Sequence, residues 1–185
     1  MNNPRATKYL VLASVFASIS FTLGKFDIFV IPTPIPPLQI DLRGVFTFIG
    51  AMLVPFYYAW FIGWAASGFD MVLEFGIDFT GWIPATLVCS LLYRNLSRRF
   101  NQKSIINASI SVLLGQMTGN LSVILPFMIV YSVPFSQAGN TALLLLIRSI
   151  LTFVIVAPVI YNIEKRIGSF SNLFENNKKN TMNNN

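Results

Sequence analysis

A chain of 185 residues has room for one domain. With 54% hydrophobic residues, 11% charged residues and a mean hydropathy of +0.63, that domain lacks the roughly 25% charge with which a soluble protein faces water. Lipid is therefore the expected solvent for most of its exterior. The sequence has no His, which removes the commonest general base and metal ligand. Its lone Cys89 excludes an internal disulfide and reads as a small packing residue. The net charge of +6 comes largely from three clusters: Arg5 and Lys8; Arg94, Arg98, Arg99 and Lys103; Lys165, Arg166, Lys178 and Lys179. Each lies at the edge of an apolar run, the positive-inside pattern rather than a nucleic-acid patch.

Backbone groups facing lipid must be satisfied within their own segment, so the apolar runs read as helices. The first covers Thr7 to Leu23; it has a basic flank but no small-x-small cleavage site, and reads as a retained helix rather than a leader. Lys25 to Arg43 follows, with Pro32, Pro34, Pro36 and Pro37, which forbid a continuous helix. This apolar, non-helical loop is expected over the outer mouth or against other helices. A short second helix runs from Gly44 to Val54, Pro55 makes a turn or helix start, and a third helix spans Phe56 to about Glu74. Phe75 to Thr80 reads as an external loop. A fourth helix covers Gly81 to Arg94, a fifth Ile105 to about Tyr131, and a sixth Asn140 to Tyr161, after an uncharged turn over Ser132 to Gly139. The expected fold is thus all-α: a bundle of six transmembrane helices forming one domain over residues 1–168, with a polar, Asn-rich cytoplasmic tail over 169–185 that composition marks as disordered. Ten of the thirteen Lys and Arg fall on the side shared by both termini, against Lys25, Arg43 and Arg148 opposite, so both termini are expected in the cytoplasm of a cell-membrane protein.

Candidate chemistry lies on the outer side, where Asp27, Asp41, Asp70, Glu74 and Asp78 accompany those three cations. Charges within hydrocarbon are costly unless paired or facing a cavity. Arg148, flanked by apolar residues on both sides, either pairs with Asp70 or Glu74 to hold helices together, snorkels outward, or serves a polar ligand site with Arg43. Asp70 and Glu74 are four apart and would share a helical face. Trp82, Gln116 and Asn120, with Tyr131 and Asn140 towards the mouth, offer the flat faces and amides that a mostly apolar small-molecule pocket requires. The candidate substrate-binding residues are Arg43, Asp70, Glu74, Trp82, Gln116, Asn120 and Arg148. On helix one, Ala13 and Ala17 form a small-xxx-small face, as do Ser14 and Ser18, suited to a close helix neighbour inside or outside the chain. Gly63 and Ser67 read as internal packing. No intramembrane protease chemistry is expected, since there is no His and no carboxylate is expected deep in the cytoplasmic half. No Gly-x-x-x-x-Gly-Lys-Ser/Thr loop occurs either, so ATP hydrolysis would have to come from another subunit. No metal or cofactor is expected, and no enzymatic activity.

In size, in six spans with both ends inside, in AxxxA at Ala13 and Ala17, and in the Pro-rich outer loop ending LQIDLRG (Leu38 to Gly44) before a short helix, residues 7–166 resemble the substrate-binding S components of energy-coupling factor (ECF) transporters. Gly63, Gly68 and Asp70 on helix three fit as well. The Gly-Pro pair of many members is here Pro55 alone, after Val54. The resemblance implies a subunit that captures a vitamin-like micronutrient from outside. It implies a membrane-embedded coupling subunit and two cytoplasmic ATPases as partners, with Ala13 and Ala17 as the docking face. It also places the ligand under the first loop, among the outer halves of helices four to six, and implies release by toppling of the whole subunit in the bilayer. The alternative expectation is a stand-alone secondary transporter or channel for a small solute.

Overall fold

The computed structural model describes residues 4–26, 28, 30–32, 39–41, 43–68, 76–99, 104–130, 132 and 134–167. They form α1 (Pro4–Lys25), a ribbon of β1 (Val30–Pro32) and β2 (Gln39–Asp41), α2 (Arg43–Leu53), α3 (Phe56–Ala66), α4 (Gly76–Arg99), α5 (Ser104–Val130) and α6 (Ala138–Ile167), the last entered through one 3₁₀ turn, Phe135–Gln137. The fold is thus almost wholly helical. The ribbon is its one sheet among the described residues: β1 pairs antiparallel with β2, Val30 opposite Asp41 and Pro32 opposite Gln39. Proline-biased extended backbone supplies the strands, and β2 lies alongside α6.

Successive helices alternate in direction, and named contacts fix this. At one end, a Cβ on Gly24 of α1 would run into the guanidinium of Arg43, the first residue of α2. Arg43 Nη1 donates to Ala66 O at the end of α3 (2.7 Å), and its guanidinium lies 5.0 Å over the ring of Trp82, early in α4. At the opposite end, Tyr58 Oη of α3 donates to Ala6 O of α1 (3.4 Å), and Arg94 Nε of α4 donates to Val54 O just after α2 (3.2 Å). There too, Tyr93 Oη donates to Glu164 Oε1 on α6 (2.8 Å).

Small residues allow the closest approaches. A Cβ on Gly119 would stand 2.5 Å from Gly81 O and 2.7 Å from Ala85 Cβ; one on Gly115 would stand 2.7 Å from Ala85 O and 3.0 Å from Cys89 Cβ. Gly115 and Gly119 therefore form a GxxxG face that seats α5 directly on the backbone of α4, as helices do where lipid provides no hydrophobic drive between them. Gly63 does the same for α3 against Trp82 O and Thr86 Oγ1 of α4, in line with its expected packing role.

The exterior carries many large apolar side chains, and small polar ones sit inside beside the apolar core. Leu10 and Val15 of α1, Phe56 and Trp60 of α3, Ile110 and Leu114 of α5, and Leu143, Ile150 and Val154 of α6 are exposed, while Ser20, Thr47, Thr86, Ser90, Ser111, Ser149 and Thr152 are buried. Two helical segments, Ala6–Lys25 and Ala142–Arg166, are long and apolar enough to cross a membrane, with mean hydropathies of 1.5 and 2.6. That composition fits association with a membrane.

Four sequence expectations change. The expected external loop over Phe75 to Thr80 is helical from Gly76, so Asp78 falls in the first turn of α4. The third helix ends at Ala66 rather than near Glu74: Gly68, at φ 80°, turns the chain out of it, a conformation glycine adopts without steric cost. α4 and α6 run further than expected, to Arg99 and Ile167, and so include Arg98 and Arg99, and Lys165 and Arg166, as helix. Finally, Ala13 (0% exposed) and Ala17 (2%) are not an open docking face. Ala13 sits in the chain's own core with Ala51, Val54, Ala59 and Ile62, because a methyl group is what lets α1 lie against α2 and α3.

Candidate functional site

Buried polar side chains gather in two layers with an apolar layer between them. The apolar layer includes Phe48 and Met52 of α2, Cys89 of α4, Val112 of α5, and Val156 and Ile160 of α6, all in one cluster. One helical turn beyond it, roughly 6 Å for four residues, Gln116 follows Val112 outward on α5 and Thr152 precedes Val156 on α6. The two helices are antiparallel, so both side chains reach the same side of the apolar layer. A turn further out, Asn120 Nδ2 donates to Ser149 Oγ (2.7 Å), bridging α5 to α6. Gly81 sits on Gly119, which brings Trp82 to the level of that bridge. Arg43 then tops the layer over Trp82, and below it Ser20 and Thr47 share a hydroxyl hydrogen bond (2.9 Å) while Thr47 Oγ1 donates to Arg43 O (2.9 Å).

Two atoms in this outer layer stand out. Gln116 Oε1 and Thr152 Oγ1 are buried and have no hydrogen-bond partner among the described residues, although Gln116 as a whole is only 9% exposed and Thr152 only 2%. A buried polar group without a partner costs about 1–3 kcal/mol, and a fold keeps such groups where something else satisfies them.

Of the sequence-stated candidates, Trp82, Gln116, Asn120 and Arg43 come together in this layer. Arg43 is not an open donor for a ligand. The residue is 9% exposed, and its guanidinium caps the last carbonyl of α3, where a helix C-terminus favours a cation. Arg148 lies on α6 beside Ser149, and the position of its side chain falls outside the described residues. Asp70, Glu74 and Tyr131 lie outside the described residues as well, and with them the expected pairing of Arg148 with Asp70 or Glu74. Asn140 is exposed at the start of α6. Sequence reasoning missed Ser149 and Thr152, whose signal is a three-residue and then four-residue spacing continuing to Val156 and Ile160 on one face of α6.

The inner layer corrects another expectation. A carboxylate does lie inside the bundle towards the end carrying the basic residues: Glu164, 4% exposed, accepts from Tyr93, 1% exposed. Asn107 is buried near the start of α5, and Ser111 Oγ donates to its carbonyl (2.6 Å). Glu164 belongs to the same buried stripe of α6, four residues after Ile160. The outer layer, by contrast, holds amides, hydroxyls and an indole. Among its described residues no nucleophile is paired with a base. Comparisons of the chain with family models, with curated proteins and with solved structures find no match.

Proposed function

We propose that the chain is a six-span membrane protein with both termini in the cytoplasm, serving as the solute-binding subunit of an importer of the energy-coupling factor type. The observation that carries this reading is the layering of the bundle: apolar side chains outward, and an outer polar layer closed off by the apolar layer of Phe48, Val112 and Val156. A chamber in that layer would hold a small polar solute without opening through the apolar layer, which is the behaviour of a capturing subunit rather than a channel. The orientation follows from charge. Lys8, Arg94, Arg99, Lys165 and Arg166 all lie at the end where α1 begins and α4 and α6 finish, the cytoplasmic end by the positive-inside rule. Aromatic residues gather at that end too: Tyr9, Tyr57, Tyr58 and Trp60 match the belt that marks a membrane–water interface. The ribbon beside α6 is then an outer cover of the chamber.

ATP-driven uptake requires partners, since the sequence has no phosphate-binding loop. With Ala13 and Ala17 buried, the surface of α1 left for a coupling subunit is the adjacent one, where Ser14 and Ser18 are exposed. Expressed at native level and solubilised in mild detergent, the tagged chain is expected to bring down an integral membrane subunit and ATPases. Uphill uptake by the purified chain alone in liposomes, driven by an ion gradient, sinks the reading in favour of a secondary transporter.

A further inference from the structure

We propose, resting on the reading of the outer layer as a solute site, that its ligand is an uncharged molecule bearing an amide edge, a hydrogen-bond donor beside a carbonyl acceptor, held by Gln116 and Thr152. The two residues lie at about one level on antiparallel α5 and α6, a turn inward of the Asn120–Ser149 bridge and a turn outward of Val112 and Val156. The neighbouring bridge shows that an amide and a hydroxyl across these two helices can satisfy one another directly, at 2.7 Å. One turn deeper the equivalent amide and hydroxyl do not, and both oxygens stay buried and unpaired among the described residues.

The chemistry of the pair selects the ligand. A glutamine amide offers one acceptor oxygen and two donor hydrogens, and a threonine hydroxyl can give or take one hydrogen bond. The buried Oε1 needs a donor, which a carboxylate or phosphate lacks; those groups carry acceptors only and would leave that oxygen orphaned. A carboxamide, lactam or ureide edge carries both partners in one plane and satisfies both side chains together. Arg43, the cation that tops this layer, is already engaged by Ala66 O and the Trp82 ring, and burying a charge without a partner is costly. Trp82, at the level of the adjacent bridge, offers a flat wall to a planar ligand.

The test uses the full chain in lipid nanodiscs, with benzamide and uracil as amide-edge probes and benzoate and orotate as their anionic counterparts. Saturation-transfer NMR is expected to detect the amides and not the anions. Gln116→Leu with Thr152→Val, which keeps side-chain volume but removes the polar atoms, is expected to abolish the amide signal. The same double variant should melt higher by about 2–4 °C, since it removes unpaired buried polar groups at nearly constant shape. Signals of equal size from amide and anion, or signals that survive in the double variant, overturn the proposal. So does a double variant that melts lower with no probe bound by the wild type, which assigns the pair to an ordered water alone. If the amides fail while the ATPase partners still copurify, the ligand class is wrong and the importer reading stands.

Discussion

The α4–α5 contact makes a sharp quantitative prediction. Changing glycine to alanine inside a helix ordinarily gains about 1 kcal/mol of helix propensity. At Gly139, near the start of α6, a Cβ meets nothing within 4 Å, so Gly139→Ala should gain about 0.5 kcal/mol and melt ~1–2 °C higher. At Gly119 the same methyl group would lie 2.5 Å from Gly81 O and 2.7 Å from Ala85 Cβ, inside the 3.0 Å that real Cβ atoms do not breach. Its obstacle is backbone, with no flexible side-chain tip to swing aside. Overpacking costs roughly 1–3 kcal/mol, and a backbone obstacle belongs in the upper part of that range, so the net loss is about 1–2 kcal/mol after the propensity gain. For a chain of this size that lowers the melting point by roughly 2–8 °C. The chain supplies its own reporter. Cys89 is its single thiol, fully buried within the same seam, so a fluorogenic maleimide reacts as α4 and α5 part on heating. A Gly119→Ala midpoint equal to or above wild type refutes the close approach of the two helices.

Three further outcomes follow. Ala13→Trp should prevent folding, seen as loss of a monodisperse peak on size exclusion, whereas Ser14→Trp should leave the peak intact and reduce copurification of ATPase partners. Arg43→Gln removes both the cap on α3 and the contact with Trp82; it should cost about 2 kcal/mol in detergent melts. Tyr93→Phe leaves Glu164 without its phenolic donor and should lower the melting point by an amount equivalent to about 1–3 kcal/mol; a melt unchanged from wild type would show that the remaining surroundings of the carboxylate suffice.

The helices were legible in the sequence where lipid dictates them, and less so where it does not. α5 and the middle of α1 coincide with their apolar runs because a membrane-facing segment needs both apolarity and internal hydrogen bonding. Hydropathy ends where the hydrocarbon ends, however, and a helix need not. The expected fourth and sixth helices therefore closed at Arg94 and Tyr161, a turn or more before the backbone does at Arg99 and Ile167. The ribbon was hidden because prolines announce extended chain but not its partner, and Val30 finds Asp41 only through a long-range pairing. In the site, Gln116 and Asn120 were visible as amides in an apolar run. Ser149 and Thr152 were not, since hydroxyls in such helices commonly bond the carbonyl four residues back, as Ser18, Thr22, Ser111 and Thr118 do here. Arg43 was visible as a charge, but the partner that occupies it is a main-chain carbonyl, which no side-chain pattern reveals. GxxxG at Gly115 and Gly119 stood in plain view beside the AxxxA of α1.

The brevity of α2 and α3 bears on the surrounding lipid. Each has 11 residues, a rise of about 16 Å, beside neighbours of 22 to 30 residues and against a hydrocarbon thickness of about 30 Å. In the proposed membrane setting it is the exposed face of α3, with Phe56, Tyr57 and Trp60, that meets lipid, and acyl chains there would shorten or disorder to match it, at a fraction of a kcal/mol for each ångström of mismatch. The bundle would then sit in a lopsided collar of lipid, thin on the α2–α3 side and full on the α6 side, and thickness alone would bias its tilt. Solute capture should accordingly depend on acyl-chain length, with shorter-chain lipids holding the hairpin upright and longer-chain lipids leaning the whole bundle towards it.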